Sequence, residues 1–160
     1  MTAAARSRPS DDRVLNMTRV FDAPRSLVFQ TWTRKEHIDR WLAPRGFTIP
    51  FSEGDLRPGG RWRCCMVSSQ GVEHWVSGTY REIIENELLV FTHAWEEDGK
   101  RGHETLVTVR FADQGAKTRI TFEQAIFASV ESRDGHAGGW GECLERLTEH
   151  LVTLRVQSAS

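Results

Sequence analysis

Cysteine, excess charge and long apolar runs are all scarce in this chain of 160 residues. The three cysteines form neither an even set nor a Cys-x-x-Cys pair, so we expect free thiols in a reducing compartment. The net charge of −1 lacks the basic excess of a nucleic-acid-binding protein. No stretch approaches about 18 apolar residues, and the polar N-terminus has no signal-peptide core. The composition therefore predicts a cytoplasmic protein with no nucleic-acid partner and no membrane association.

Motifs that identify a reaction by themselves are also missing. The chain has no Gly-x-Ser-x-Gly elbow, no phosphate-binding glycine loop and no dinucleotide fingerprint. Its histidines and cysteines lack a metal-site spacing such as His-x-x-x-His. We therefore expect no cofactor, no metal and no catalytic residue that the sequence can name.

The length suits one domain with a sizeable core. Residues 1–12 are small and polar, and we predict that they form a disordered tail. Residues 13–156 are predicted to form a single domain.

The periodicity predicts a strand, two short helices, six further strands and a long helix. A strand over 13–21 leads into a helix whose first position is Pro24. Thr33 and Glu36 have the spacing of a capping box for the second helix. Short turns then favour antiparallel hairpins over crossovers. The six extended runs cover about 47–56, 60–68, 73–84, 87–96, 104–112 and 117–126.

The corner at Pro58-Gly59-Gly60 has the chemistry of a tight turn between two strands. Proline suits the second position of a type II turn, and Gly59 can take the positive φ required next. Gly60 permits a bulge or a close backbone approach as the next strand begins.

A stripe of apolar residues near the C-terminus predicts a long amphipathic helix that covers the sheet. The stripe consists of Trp140, Leu144, Leu147, Leu151 and Leu154. Gly138-Gly139 leaves two alternatives, because glycine inside a helix costs about 1 kcal/mol relative to alanine. Either the helix starts there, or the glycines leave space at a cavity mouth.

Seven short motifs in order resemble one known family. They are Phe21-Asp22-Ala23-Pro24, Val28-Phe29-x-x-Trp32-Thr33, Trp41-x-x-Pro44, Asp55-Leu56-Arg57-Pro58-Gly59-Gly60-Arg61-Trp62, Gly78-x-Tyr80-x-Glu82-Ile83, Leu88-x-x-Phe91-Thr92 and Gly139-Trp140-x-x-x-Leu144-x-x-Leu147. Together they resemble the AHSA1-like (activator of Hsp90 ATPase homologue 1-like) branch of the SRPBCC, or START/Bet v 1-like, superfamily. The resemblance covers roughly residues 13–155.

The resemblance implies an α+β helix-grip fold, in which a curved seven-stranded antiparallel sheet wraps around the C-terminal helix. It also implies a hydrophobic cavity for an apolar, aromatic or lipid-like small molecule, and it favours a homodimer. The activator that gives the branch its name carries an additional N-terminal domain, for which this chain has no room. A chaperone-related role therefore inherits little support, and family membership narrows the scaffold more than the function.

Strand alternation supplies candidate cavity residues, because every second side chain shares a face. We expect the apolar face of the strand after the glycine corner to point inward, whereas the inward faces of 72–84 and 87–96 stay open. The candidates are Trp62, Cys64, Met66, His74, Tyr80, Phe91, His93, Trp95, Val109, Phe122, Trp140 and Leu144.

The aromatic and histidine candidates each have two interpretations. The tryptophans fill the core or line a ligand pocket. His74 and His93 are structural, or one of them acts with Tyr80 or a glutamate as acid and base in a cyclase, dehydratase or hydrolase. The leading hypothesis is a non-enzymatic protein that encloses an apolar small molecule. An enzyme and a protein-interaction module are the alternatives.

Overall fold

The computed structural model describes residues 12–159, which form a curved antiparallel sheet packed against a long C-terminal helix. Residues 1–11 of the predicted tail lie outside the described residues. In chain order the elements are β1 (Leu15–Phe21), α1 (Arg25–Thr33), α2 (Lys35–Trp41), β2 (Thr48–Gly54), β3 (Arg61–Val67), β4 (Glu73–Ile84), β5 (Leu88–Glu97), β6 (Lys100–Arg101), β7 (Thr105–Gln114), β8 (Lys117–Ala125) and α3 (Val130–Ala159).

The strands pair in the order β1-β8-β7-β5-β4-β3-β2, with β6 on the end of β5. The meander expected from the short turns is confirmed, and β1 joins it by pairing antiparallel with β8. The sequence predicted seven strands, with none between the runs at 87–96 and 104–112. The structure adds β6 there, because Lys100 and Arg101 fold back opposite Glu97 and Glu96.

Apolar side chains at alternate positions of β7 and β8 form one side of the main core. Val107, Val109 and Phe111 are buried, and so are Ile120 and Phe122 on the neighbouring strand. The residues between them are partly or fully exposed. One face of this part of the sheet is therefore apolar, as the period of two predicts.

The glycine corner between β2 and β3 is a hydrogen-bonded turn. The Gly60 amide donates to the Arg57 carbonyl oxygen at 2.8 Å, and Gly59 has a φ of +87°. A Cβ on Gly60 would lie 1.9 Å from the carbonyl oxygen of Asp55. Both glycines are therefore required, one for its backbone angle and one for a close approach.

The beginning of α1 differs from the prediction by one residue. Pro24 is the N-cap, with an extended backbone at φ −70° and ψ 153°, and the helix begins at Arg25. The Pro24 carbonyl oxygen accepts the Val28 amide at 3.1 Å, so proline supplies the first helical acceptor while it remains outside the helix.

The predicted capping box of Thr33 and Glu36 is wrong. The N-cap of α2 is Arg34, and no side chain caps the helix. Thr33 is the last residue of α1, and its hydroxyl donates to the Phe29 carbonyl oxygen at 3.0 Å. That hydrogen bond commits the hydroxyl to the preceding helix.

The long helix α3 buries the predicted stripe. Trp140, Leu144, Leu147 and Leu151 are buried in the main core. The helix begins at Val130, so the alternative that it starts at Gly138-Gly139 is wrong. None of the helices in residues 12–159 is long and apolar enough to cross a membrane.

Candidate functional site

A cavity of about 460 Å³ lies between α3 and the face of β3, β4 and β5 that turns towards it. Ile38, Trp41 and Leu42 form a further wall from α2 and the residue after it. Exposed side chains at Glu53 and Leu56 border the cavity. The volume falls within the range of about 300–1,000 Å³ that is typical of small-molecule pockets.

Nine of the twelve candidate residues line this cavity. The register explains the grouping, because Cys64 lies opposite Val76 and Met66 lies opposite His74 on paired strands. The face that the sequence left open on β4 and β5 is thereby decided. The nine are Trp62, Cys64, Met66, His74, Tyr80, Phe91, His93, Trp95 and Trp140.

The other three candidates, Val109, Phe122 and Leu144, lie in the adjacent packed core instead of on the cavity wall. Val109 and Phe122 face each other across β7 and β8. Trp140 covers Phe122, with ring centroids 4.6 Å apart, and Trp32 covers it from α1 at 6.3 Å. These indoles fill the space above β7 and β8, so the cavity is displaced towards β3, β4 and β5.

A glycine on β4 leaves room for the Trp62 indole to reach β5. Gly78 is the register partner of Trp62, and a Cβ there would meet the Trp62 Nε1 at 2.6 Å and the Thr92 carbonyl oxygen at 1.8 Å. The bare backbone lets Nε1 donate to that carbonyl at 3.1 Å. The indole of Trp62 can therefore take this orientation because Gly78 has no side chain.

His93 is a buried polar side chain on the cavity wall. Its ring lies among the rings of Trp95, His136, Trp62 and Trp140, with centroid distances of 5.5, 5.8, 6.0 and 6.4 Å. Burial lowers the pKa of His93 to about 3, and the nearby His136 lowers it further. The imidazole is therefore neutral at physiological pH.

A chain of hydrogen bonds fixes the Trp140 side chain between α3 and the sheet. Its Nε1 donates to the Gln124 side-chain oxygen at 2.8 Å, and the Gln124 amide donates to the Thr105 hydroxyl at 2.8 Å. The Thr105 hydroxyl then donates to the His93 carbonyl oxygen at 3.2 Å. This buried network connects the helix to β5, β7 and β8 and satisfies each polar group in it.

His136 fixes the indole of Trp95. Its Nδ1 lies 2.7 Å from the Ser132 carbonyl oxygen one helical turn earlier, so this nitrogen carries the proton. Its Nε2 accepts the Trp95 indole N–H at 2.9 Å. Both ring nitrogens of His136 are thus engaged within the protein.

The sulfur and phenol groups on the wall are uncharged. Burial raises the pKa of Cys64, of Cys143 and of Tyr80 to about 12 in each case. Thiols in this state are poor nucleophiles and poor metal ligands. Among residues 12–159, no group of three or more histidine, cysteine or acidic side chains is arranged to hold a metal ion, and all three cysteines are free.

Charged groups lie at the rim. The Lys35 ammonium contacts the Asp39 carboxylate at 2.8 Å and the Ser52 hydroxyl at 3.2 Å. The Ser52 hydroxyl donates to the same carboxylate, so the cluster joins α2 to β2 beside the cavity. Arg63 on β3 pairs with Glu96 on β5 at 2.8 Å, across the intervening β4.

The sequence missed three cavity residues of α3, which are Gly135, His136 and Cys143, whereas one of its two alternatives placed Gly139 at a cavity mouth. Gly135, His136, Gly139 and Cys143 also line the cavity. They share one helical face, because their spacing is 1, 3 and 4 residues. The sequence signal that could have identified them is that the apolar stripe of α3 continues towards its N-terminus with glycines in place of large side chains.

The comparisons with known proteins agree with this architecture. The family described as activator of Hsp90 ATPase homolog 1-like protein matches residues 22–152. The AHSA1 protein of Silicibacter pomeroyi is a similar solved structure, with a TM-score of 0.80 and 25% identity over 88% of this chain and 98% of that chain. A protein of Chromobacterium violaceum has a TM-score of 0.79 and 22% identity over 86% of this chain and 95% of that one. No curated protein matches the chain.

Proposed function

The chain belongs to the family of activator of Hsp90 ATPase homologue 1-like proteins, and on that basis we propose that it binds an apolar or aromatic, lipid-like small molecule in the cavity under α3. The proposal concerns a binding protein without catalysis. The fold supplies the scaffold, and the particular side chains of this cavity support the ligand class.

The observation that carries the proposal is the unfilled face of α3. Packed helices and sheets leave few voids larger than a water molecule, so a partly open apolar space of about 460 Å³ between α3 and the sheet is not ordinary packing. Gly135 and Gly139 border this space within a helix, where glycine is unfavourable. A Cβ at Gly135 would meet nothing within 4 Å, and one at Gly139 only the Pro44 Cγ at 3.8 Å. Larger residues would fit sterically, and their absence keeps the cavity open.

The wall chemistry supports an apolar or aromatic occupant. Five of the six tryptophans line the cavity, and Trp75 is the exception. Indole faces offer large contact areas to flat molecules. The two cationic side chains at the rim are paired, Lys35 with Asp39 and Arg63 with Glu96.

The enzyme alternative requires a hydrogen-bonded acid and base in the cavity. Among the described residues, neither His93 nor His74 hydrogen-bonds to Tyr80, and the phenol is held in its protonated form. No specific observation therefore favours catalysis. The homodimer and the cytoplasmic location stay predictions.

Titration with the neutral apolar dye N-phenyl-1-naphthylamine tests the proposal. Because the cavity tryptophans surround the site, we expect saturable energy transfer from tryptophan to the dye with one dye bound per chain. A long-chain fatty alcohol added at increasing concentration should displace it. A protein that gives no saturable energy transfer, or that binds many dyes with no defined stoichiometry, would contradict the proposal.

A further inference from the structure

His93 combines burial with unused hydrogen-bonding capacity. The side chain is 6% exposed and lies on the cavity wall. Among the described residues, its ring packs against four aromatic rings, and neither ring nitrogen hydrogen-bonds to another side chain. The ring hydrogen-bonds to its own backbone, which leaves the second nitrogen over. Buried polar groups are nearly always paired, so this nitrogen on a cavity wall calls for a partner from outside the chain.

The polar groups on the rings that surround His93 already have hydrogen-bond partners within the protein. The indole nitrogens of Trp62, Trp95 and Trp140 each donate to an acceptor within the protein. Both nitrogens of His136 are engaged as well. Trp32, which also lines the cavity and stacks on Trp140, has a buried indole N–H without a partner among the described residues, but an indole can only donate. His93 is therefore the side chain among these rings that can accept a hydrogen bond from a ligand.

The partner group must be uncharged and able to match a neutral imidazole. A neutral imidazole presents one N–H donor and one acceptor nitrogen. A hydroxyl group satisfies either nitrogen, because it both donates and accepts. A carboxylate would need a buried cation to offset its desolvation, whereas Lys35 and Arg63 lie at the rim and are paired there.

The surroundings of His93 also restrict the shape of the ligand. The rings of Trp62, Trp95 and Trp140 surround the imidazole, and flat aromatic molecules stack well against such rings. A cavity of about 150 Å³ holds one benzene molecule. The space of about 460 Å³ therefore has room for a molecule of two to about three fused rings.

We propose that His93 is a specificity-determining residue, which selects an uncharged planar aromatic ligand by hydrogen-bonding to a hydroxyl group on it. This inference rests on the proposed function and adds the ligand's chemical class. It assigns to His93 the recognition of one functional group, without proton transfer.

Three matched probes test the inference: naphthalene, 2-naphthol and 2-naphthoate, each competing with N-phenyl-1-naphthylamine at pH 7. Phenolic hydroxyls have a pKa near 10, so 2-naphthol is neutral there. We expect 2-naphthol to bind about five- to tenfold more tightly than naphthalene, which corresponds to one net hydrogen bond. We expect 2-naphthoate to bind more weakly than 2-naphthol.

Four variants locate the preference. His93→Phe and His93→Leu should lower the ratio of the two affinities to about one while the affinity for naphthalene stays within about twofold. His93→Gln should restore part of the preference, because an amide both donates and accepts. The matched control His103→Phe removes an exposed histidine that does not line the cavity and should leave the ratio unchanged.

The outcomes separate the two proposals. Equal binding of naphthalene and 2-naphthol by the unmodified protein, an unchanged ratio in the His93 variants, or tightest binding of 2-naphthoate would overturn the role of His93. The apolar cavity proposal would survive each of these results. If the dye itself does not bind, both proposals fail. The comparison of probes on the unmodified protein stands even if a variant does not fold.

Discussion

Replacing Gly139 by leucine should fill part of the cavity and stabilise the fold at the same time. Gly139 lies on the cavity wall in the middle of α3, and only the Pro44 Cγ lies within 4 Å of a Cβ built there. Gly138 is the matched control. It is the preceding residue of the same helix, it is exposed, and a Cβ there would meet nothing.

Both substitutions should raise helix stability by similar amounts. Glycine is about 0.7 kcal/mol less favourable than leucine inside a helix, so each variant gains about that much in free energy of unfolding. At position 139 the side chain also buries apolar carbons, which adds about 1 kcal/mol. We therefore expect the melting temperature to rise by about 2 °C for Gly138→Leu and by more for Gly139→Leu.

Ligand binding should separate the two variants. Each side-chain carbon takes up about as much space as one water molecule, about 30 Å³, so the four carbons of leucine fill roughly 120 Å³. That is about a quarter of the 460 Å³ cavity. We expect the affinity for N-phenyl-1-naphthylamine to fall at least tenfold in Gly139→Leu and to stay within twofold in Gly138→Leu.

Fluorescence titration and thermal unfolding of the two variants measure both effects. The reasoning is refuted if Gly139→Leu binds the dye as tightly as the unmodified protein does. It is also refuted if Gly138→Leu loses as much affinity, because the dye would then respond to the helix surface. A lower melting temperature for both variants would contradict the view that these positions have room for a side chain.

Three further predictions concern the cavity wall. Gly78→Ala should lower the free energy of unfolding in urea by at least about 3 kcal/mol, because its Cβ would lie 1.8 Å from a backbone oxygen. In the control Gly54→Ala, the nearest atom to the new Cβ is 3.5 Å away, and the free energy of unfolding should change by no more than about 1 kcal/mol. Trp140→Phe leaves the buried Gln124 oxygen without its donor and should lower the free energy of unfolding by about 2–3 kcal/mol. In a double-mutant cycle with Gln124→Leu, the two losses should be less than additive, and additive losses would rule out the coupling. Since the folded-state pKa of His93 is lowered to about 3, its stabilising contribution is complete above pH 6.5 and is lost as the pH falls towards 3, by up to about 1.4 kcal/mol per pH unit. His93→Phe should remove that slope between pH 6.5 and 5, and an unchanged slope would assign it to other groups.

The order of elements could be predicted because its signals are local. Alternation over Val107, Val109 and Phe111 requires only a period of two, and the buried face follows. The turn at Gly59 requires only a residue that tolerates a φ of +87°. The errors occurred where competing local interactions decided the outcome, as at Thr33, whose hydroxyl bonds back into α1 instead of capping α2.

The candidate site could be predicted in part. Trp62, Cys64 and Met66 share a strand face, so their common orientation follows from sequence alone. Val109 and Phe122 share the same kind of pattern but lie in the core, because the indoles of α1 and α3 cover them. Alternation identifies which residues share a face, but it does not identify what covers that face.

The sequence by itself determined the elements, the turns and the sharing of faces, since these depend on neighbours within a few residues. Only the tertiary structure decided that Gly139 lies over open space and that, among the described residues, no other side chain hydrogen-bonds to the His93 ring. Both properties depend on segments far apart in the chain, because the helix packs across strands to which it has no local connection. The ligand contact proposed for His93 therefore lies where α3 meets β5, which no local pattern predicts.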